Sequence, residues 1–192
     1  MTVELPLVVL ERLTDVERGI LLTVARDSIG AAVREAQAVA CTALTPALLE
    51  PAAAFVSLHS GGRLRGCIGT VVAERPLHET VARMAVAAAF EDPRFAPLLE
   101  SEMPSVEIEI SRLSVMHPVD PADVCPGVHG VSLISGEHRA VFLPQVARAQ
   151  HWDRETLLSE LCRKALLPAA AWRRPGMQLM VFVAEVFGDP QP

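Results

Sequence analysis

The sequence predicts an α+β fold built on a mainly antiparallel sheet with flanking helices, and three observations carry that expectation. Two pairs of extended segments flank the turn signals Ser60-Gly61-Gly62 and Ser135-Gly136-Glu137, as β-hairpins do. Val106, Ile108 and Ile110 alternate with Glu107, Glu109 and Ser111, the pattern of a half-buried strand. Strand–helix–strand repeats are missing, which disfavours a doubly wound parallel sheet.

The elements follow in order. Thr14-Asp15-Val16-Glu17 fits a capping box, with Thr14 as N-cap. Ile20, Leu21, Val24, Ile29, Ala32 and Val33 then form a helical stripe, so a first helix runs from Asp15 to Ala36. Thr42 to Pro51, with two prolines and no period, reads as a loop. Ala54 to His59 and Leu64 to Val72 form the first hairpin. Pro76 suits the first position of a helix carrying Leu77, Val81, Met84, Ala85 and Ala88. Asp92-Pro93 ends it, because the residue before proline avoids the α region. The alternating strand over residues 106–111 comes next. His117 to Val128 reads as a loop, and the second hairpin spans His129 to Leu143. Asp153 can cap a helix whose stripe is Leu157, Leu158, Leu161, Cys162 and Ala165, with Pro168 ending it. Met177 to Phe187 is apolar on both faces, as a central buried strand would be.

A chain of 192 residues suits a single domain over 1–192 with a real core. With 51% apolar and 21% charged residues, disorder is not expected. The most apolar stretch, Met84 to Phe90, is too short to span a bilayer. Glu4 and Pro6 spoil the N-terminus as a signal peptide. A soluble, cytoplasmic protein with no membrane contact is the expectation. Net charge is −6 and there is no block of Lys or Arg, which argues against nucleic acid as a partner. Cys41, Cys67, Cys125 and Cys162 are widely spaced and read as free thiols. No G-x-G-x-x-G, P-loop, G-x-S-x-G or H-E-x-x-H motif occurs.

The candidate chemistry centres on Arg65-Gly66-Cys67-Ile68-Gly69. In an unbroken strand Arg65, Cys67 and Gly69 share one face. A cation beside a thiol favours the reactive thiolate, and flanking glycines let a ligand or another backbone come close. The plain alternative is an inert buried cysteine in a glycine-bent strand. In Asp92-Pro93-Arg94-Phe95, Asp92 can cap a turn and Phe95 anchor the loop, while Arg94 can pair with a carboxylate or anchor an anionic substrate group. His129, between Gly127 and Gly130, could serve as base for a Cys–His pair or simply bond backbone. The spacing of His117, Cys125 and His129 matches no standard zinc pattern, so no metal site is expected. Nothing names a cofactor.

Taken together, several segments resemble the AMMECR-domain family, also called AmmeMemoRadiSam system protein A. They are Ala54-Phe55-Val56-Ser57-Leu58, Leu64-Arg65-Gly66-Cys67-Ile68-Gly69-Thr70, Asp92-Pro93-Arg94-Phe95-Ala96-Pro97-Leu98 and residues 107–113. Gly127-Val128-His129-Gly130, residues 143–147, Gln150-His151-Trp152-Asp153 and residues 161–165 continue the match. It covers residues 13–187. The chain departs at Leu166, where the family usually has glycine, and at Ala140 or Val141.

The resemblance implies an α+β fold of two lobes with a cleft between them, where the shared residues gather. It also implies partners: a Memo-like protein, related to dioxygenases, and a radical SAM enzyme. Two functions follow. One is an enzyme or catalytic subunit with Cys67 as nucleophile or redox thiol, Arg65 as its electrostatic partner and His129 as proton carrier. Arg94, Asp92, Gly66 and Gly69 would then hold the substrate. The other is a non-catalytic module that binds or scaffolds those partners.

Overall fold

The computed structural model describes residues 10–36 and 44–189. Glu4, Pro6, Cys41 and the first residues of the Thr42 loop lie outside them. The chain divides into two compact units. The first is described over residues 11–36, 44–113 and 185–189, and the second over Leu10 and Ser114–Ala184.

In the first unit the elements are α1 (Asp15–Val33), α2 (Pro46–Leu49), β1 (Ala54–Ser60), β2 (Arg63–Gly69), α3 (Leu77–Phe90) and β3 (Val106–Leu113). In the second they are β4 (His117–Pro118), β5 (Gly130–Ser135), β6 (His138–Phe142), α4 (Pro144–Ala149), α5 (Arg154–Lys164) and β7 (Gln178–Phe182). The last strand, β8 (Ala184–Gly188), joins the first unit's sheet, whose order is β2-β1-β3-β8. The second sheet has the order β4-β7-β5-β6. The registered pairings in both sheets are antiparallel. The fold is α+β, as the hairpin signals predict. No described helix is long and apolar enough to cross a membrane.

Burial explains the first unit. Val56, Leu58, Ile108 and Ile110 point to one face of the sheet and pack with Leu21, Ala25 and Ile29 of α1 and with Val81, Ala85 and Ala88 of α3. The strand register places Phe55, Ser57, His59, Cys67, Glu107, Glu109 and Ser111 on the opposite face. The second unit has its own core, in which Val131, Leu133 and Val181 meet Leu157, Leu158 and Leu161 of α5.

Thr14 makes the expected capping box, donating its amide to Glu17 Oε2 at 2.8 Å and accepting from the Glu17 amide at 3.3 Å. Asp153 caps α5 by accepting from the Thr156 amide at 2.8 Å. Four expectations are corrected. Pro76 is the N-cap of α3 and not its first residue. Two segments read as loops contain short elements, α2 and β4. Met177–Phe187 is not one central strand. It is β7 and β8, in different sheets, and Val183 between them bonds through both backbone groups to Ser114. The fourth is α1, which stops at Val33 and does not reach Ala36.

That stop is one of three alike. Glu35, His151 and Leu166 follow the ends of α1, α4 and α5 with φ of 52°, 52° and 59°. Each helix closes with the paired bonds of a Schellman motif. In α5 these are Leu166 N–H to Arg163 O and Leu167 N–H to Cys162 O, both 2.9 Å. Left-handed backbone favours glycine. Leu166 is 86% exposed, so removing its side chain loses little packing. Leu166→Gly should raise stability by about 0.5–1 kcal/mol, and the triple change with Glu35→Gly and His151→Gly by about 2 kcal/mol. Urea midpoints measure this, and an unmoved midpoint in the triple variant would refute the strain.

Candidate functional site

The site grows from an edge strand. β2 borders the sheet, so its outward amides need partners other than a strand. The β1–β2 register slips between Leu58, opposite Gly66, and His59, opposite Leu64. Arg65 is the extra residue of this bulge. Simple alternation therefore cannot be carried from Cys67 back to Arg65.

Cys67 stands opposite Ser57 of β1, whose hydroxyl donates to its sulfur at 3.2 Å. The Cys67 amide points outward and donates to Asp92 Oδ2 at 2.8 Å. Asp92 lies just past the end of α3 and is 4% exposed. Arg94 grips the same carboxylate three times. Its amide reaches Oδ1 at 3.1 Å, its Nε Oδ1 at 2.9 Å, and its Nη2 Oδ2 at 2.7 Å. The Arg94 guanidinium, followed by opposition from burial and help from the two amides, holds Asp92 well below the usual carboxylate range. Asp92 in turn raises the pKa of Arg94 against the opposing effect of burial.

Arg65 makes a parallel fork on another acid. Its Nε and Nη2 reach Glu102 at 2.8 and 3.1 Å, while Nη1 is buried without a partner. The Arg65 and Arg94 guanidinium carbons lie 6.0 and 5.4 Å from the centre of the Phe95 ring. Thus one aromatic ring of the loop after α3 is flanked by two arginines, each fixed by its own carboxylate.

The glycines of the motif meet the protein itself. A Cβ on Gly66 would come within 2.1 Å of the Ala88 carbonyl oxygen in α3. On Gly69 it would come within 2.1 Å of the Phe55 ring. They allow a helix and a ring to close onto the strand.

The structure thus brings Cys67, Arg65, Asp92, Arg94, Gly66 and Gly69 together in the first unit, while His129 belongs to the second. His129 is 5% exposed, and burial lowers its pKa, so it is neutral at pH 7. Its Nδ1 accepts from the Cys125 amide at 3.2 Å, which puts the ring proton on Nε2. Cys162 is buried, and burial raises its thiol pKa. Among the described residues no three His, Cys, Asp or Glu side chains are placed to hold a metal ion.

Two participants escape a reading of the sequence. Ser57 left a faint signal, a hydroxyl inside the apolar run Ala54-Phe55-Val56-Ser57-Leu58. Glu102 left none, since it sits in a 3-10 turn (Glu100–Ser105) with no periodicity.

The AMMECR1 family profile matches residues 22–187. A protein of Aeropyrum pernix is 39% identical over 152 residues, covering 74% of this chain and 66% of its own length. One from Thermofilum pendens is 34% identical over 94% of this chain and 93% of its own. The crystal structure of uncharacterized protein PH0010 from Pyrococcus horikoshii superposes with a TM-score of 0.88. That pair is 29% identical and covers 94% of this chain and 95% of the other.

Proposed function

The chain belongs to the AMMECR1 family, and on that footing we propose that it is an enzyme or catalytic subunit working through the Cys67 thiol. Cys67 acts as nucleophile or redox thiol. Arg94 anchors an anionic group of the substrate. A Memo-like protein and a radical SAM enzyme are its working partners.

The single observation that carries this reading is the sharing of Asp92. One buried carboxylate grips both the Cys67 amide and the Arg94 fork, so the guanidinium is fixed relative to the thiol. Asp92 occupies Nε and Nη2, which leaves the Nη1 donors of a side chain that is 56% exposed. A guanidinium so oriented suits carboxylate or phosphate. Arg65 is fixed by Glu102 and reaches the Phe95 loop through the Pro97 carbonyl oxygen. Gly66 and Gly69 keep β2 close to α3 and β1, so they support the site by packing. His129, the proton carrier expected from the sequence, belongs to the other unit and its Nδ1 already accepts from the Cys125 amide, so it takes no step in this chemistry.

A second reading rests on a different aspect of the same contact. Asp92 bonds the Cys67 amide and not its sulfur, and so caps the edge of β2 as a purely structural device would. The chain would then be a non-catalytic module that binds or scaffolds the same partners.

Alkylation of the native protein by iodoacetamide, with each cysteine followed by peptide mass spectrometry, separates them. The catalytic reading expects Cys67 to react ~10-fold or more faster than buried Cys162, and Arg94→Ala to slow Cys67 several-fold. A Cys67 no faster than Cys162 would sink it and leave the binding module.

A further inference from the structure

The polar face of the first unit's sheet carries a second cluster that the thiol site does not use. His59 of β1 stands directly opposite Glu107 of β3, and Glu109 stands opposite Ser57. Nδ1 of His59 and Oε2 of Glu107 are both buried, and neither has a hydrogen-bond partner. A lone orphan of this kind destabilises a fold, and two on facing residues call for a physical reason. Both residues line one cavity of about 310 Å³, whose wall also carries Glu109, Asp189, Val186 and Phe187.

The charges here are unevenly spent. Asp189 is already occupied, accepting from the Ile108 amide at 2.8 Å and pairing with Arg26. No described cation pairs with Glu107 or Glu109. An anion would meet uncompensated carboxylates. The described residues hold no metal-binding group of three, and the volume far exceeds a bare ion.

We propose that this cavity binds a primary ammonium group carried on a short aliphatic chain. An ammonium has three donors and no acceptor. The Glu107 and Glu109 carboxylates offer acceptors on one wall, and Nδ1 of His59 offers a third where it carries no proton. The last torsions of Glu and His are soft, so small rotations turn the two orphan atoms toward a bound donor. Val186, an exposed apolar side chain lining the cavity, gives the carbon chain an apolar surface. The inference stands apart from the Cys67 chemistry and does not depend on it.

Calorimetric titration of the full chain with n-butylammonium chloride tests the proposal, with n-butanol as the neutral isostere. The expected result is saturable one-to-one binding of the ammonium and none of the alcohol. Glu107→Gln and Glu109→Gln should each weaken binding ~10-fold or more, while Cys67→Ser leaves it unchanged. Nα-acetyl-lysinamide identifies the source of the amine: tighter binding than butylammonium assigns a lysine side chain, weaker binding a free amine. Absence of saturable heat, equal binding of butanol, or unchanged affinity in a Glu107→Gln protein with a native melting curve would each overturn the proposal. Should Glu107→Gln fail to fold, unchanged affinity in Glu109→Gln does the same.

Discussion

Replacing Gly66 by alanine should destabilise the first unit severely, by about 3–5 kcal/mol. The added methyl would sit 2.1 Å from the carbonyl oxygen of Ala88. That oxygen belongs to helix backbone and has no rotamer by which to leave. Relief requires α3 to lift from the sheet, and Val81, Ala85 and Ala88 would lift with it from the core they share with Val56 and Ile110. Gly69→Ala meets an equally short contact, but with the Phe55 ring, which can turn, so its cost should be smaller. Gly61→Ala meets nothing within 4 Å and carries only the strain of φ 56°, about 1 kcal/mol. Urea unfolding ranks the three, and hydrogen exchange resolved by peptide should place the Gly66→Ala loss in β2 and α3. A Gly66→Ala protein within about 0.5 kcal/mol of the parent would mean that the helix does not approach the strand this closely.

That ranking shows why the motif was only half legible. A glycine in a strand announces a close approach, but the sequence does not say to what. Here Gly66 approaches α3, more than twenty residues on. The same limit applies to charge. Arg65 neighbours Cys67 along the chain, yet its fork is spent on Glu102, and it is Arg94 that shares Asp92 with the Cys67 amide. Both facts rest on contacts across 25 to 37 positions. The bulge at Arg65 also breaks the period of two, which no residue in the heptapeptide advertises. By contrast, the local signals translated directly. The Thr14 capping box, the Asp153 cap and the alternation in β3 involve neighbours three or fewer residues apart. Met177–Phe187 failed for the opposite reason: a run apolar on both faces fits one central strand as well as two strands feeding two sheets. The six residues of α4 are too few to display a period.

Asp92→Asn should lower stability by about 2–3 kcal/mol near neutral pH, and the gap to the parent should close in acid. The native carboxylate accepts from the Cys67 amide, the Arg94 amide and the Arg94 fork, and its pKa lies well below the unfolded value. As pH falls, the unfolded chain therefore takes up this proton first. The contribution of Asp92 is fully present above the unfolded pKa of about 3.9 and is lost as pH drops through it toward the folded one. Arg94 is more than half exposed, so water restores part of what its fork loses. The asparagine variant has no such titration. Midpoints of urea unfolding should thus differ by a constant amount from about pH 5 to 8 and converge below about pH 4. Glu17 and Glu102 also have lowered pKa values, but they titrate in both proteins and cancel in the difference. A gap that persists undiminished at pH 3 would show that Asp92 acts through shape and not charge. Asparagine can still accept the Cys67 amide while losing the charge that fixes Arg94. Labelling of Cys67 in this variant therefore isolates the guanidinium: a slowed thiol with β2 amides still protected would tie reactivity to Arg94, and an unchanged rate would assign the clamp to the edge of the sheet alone.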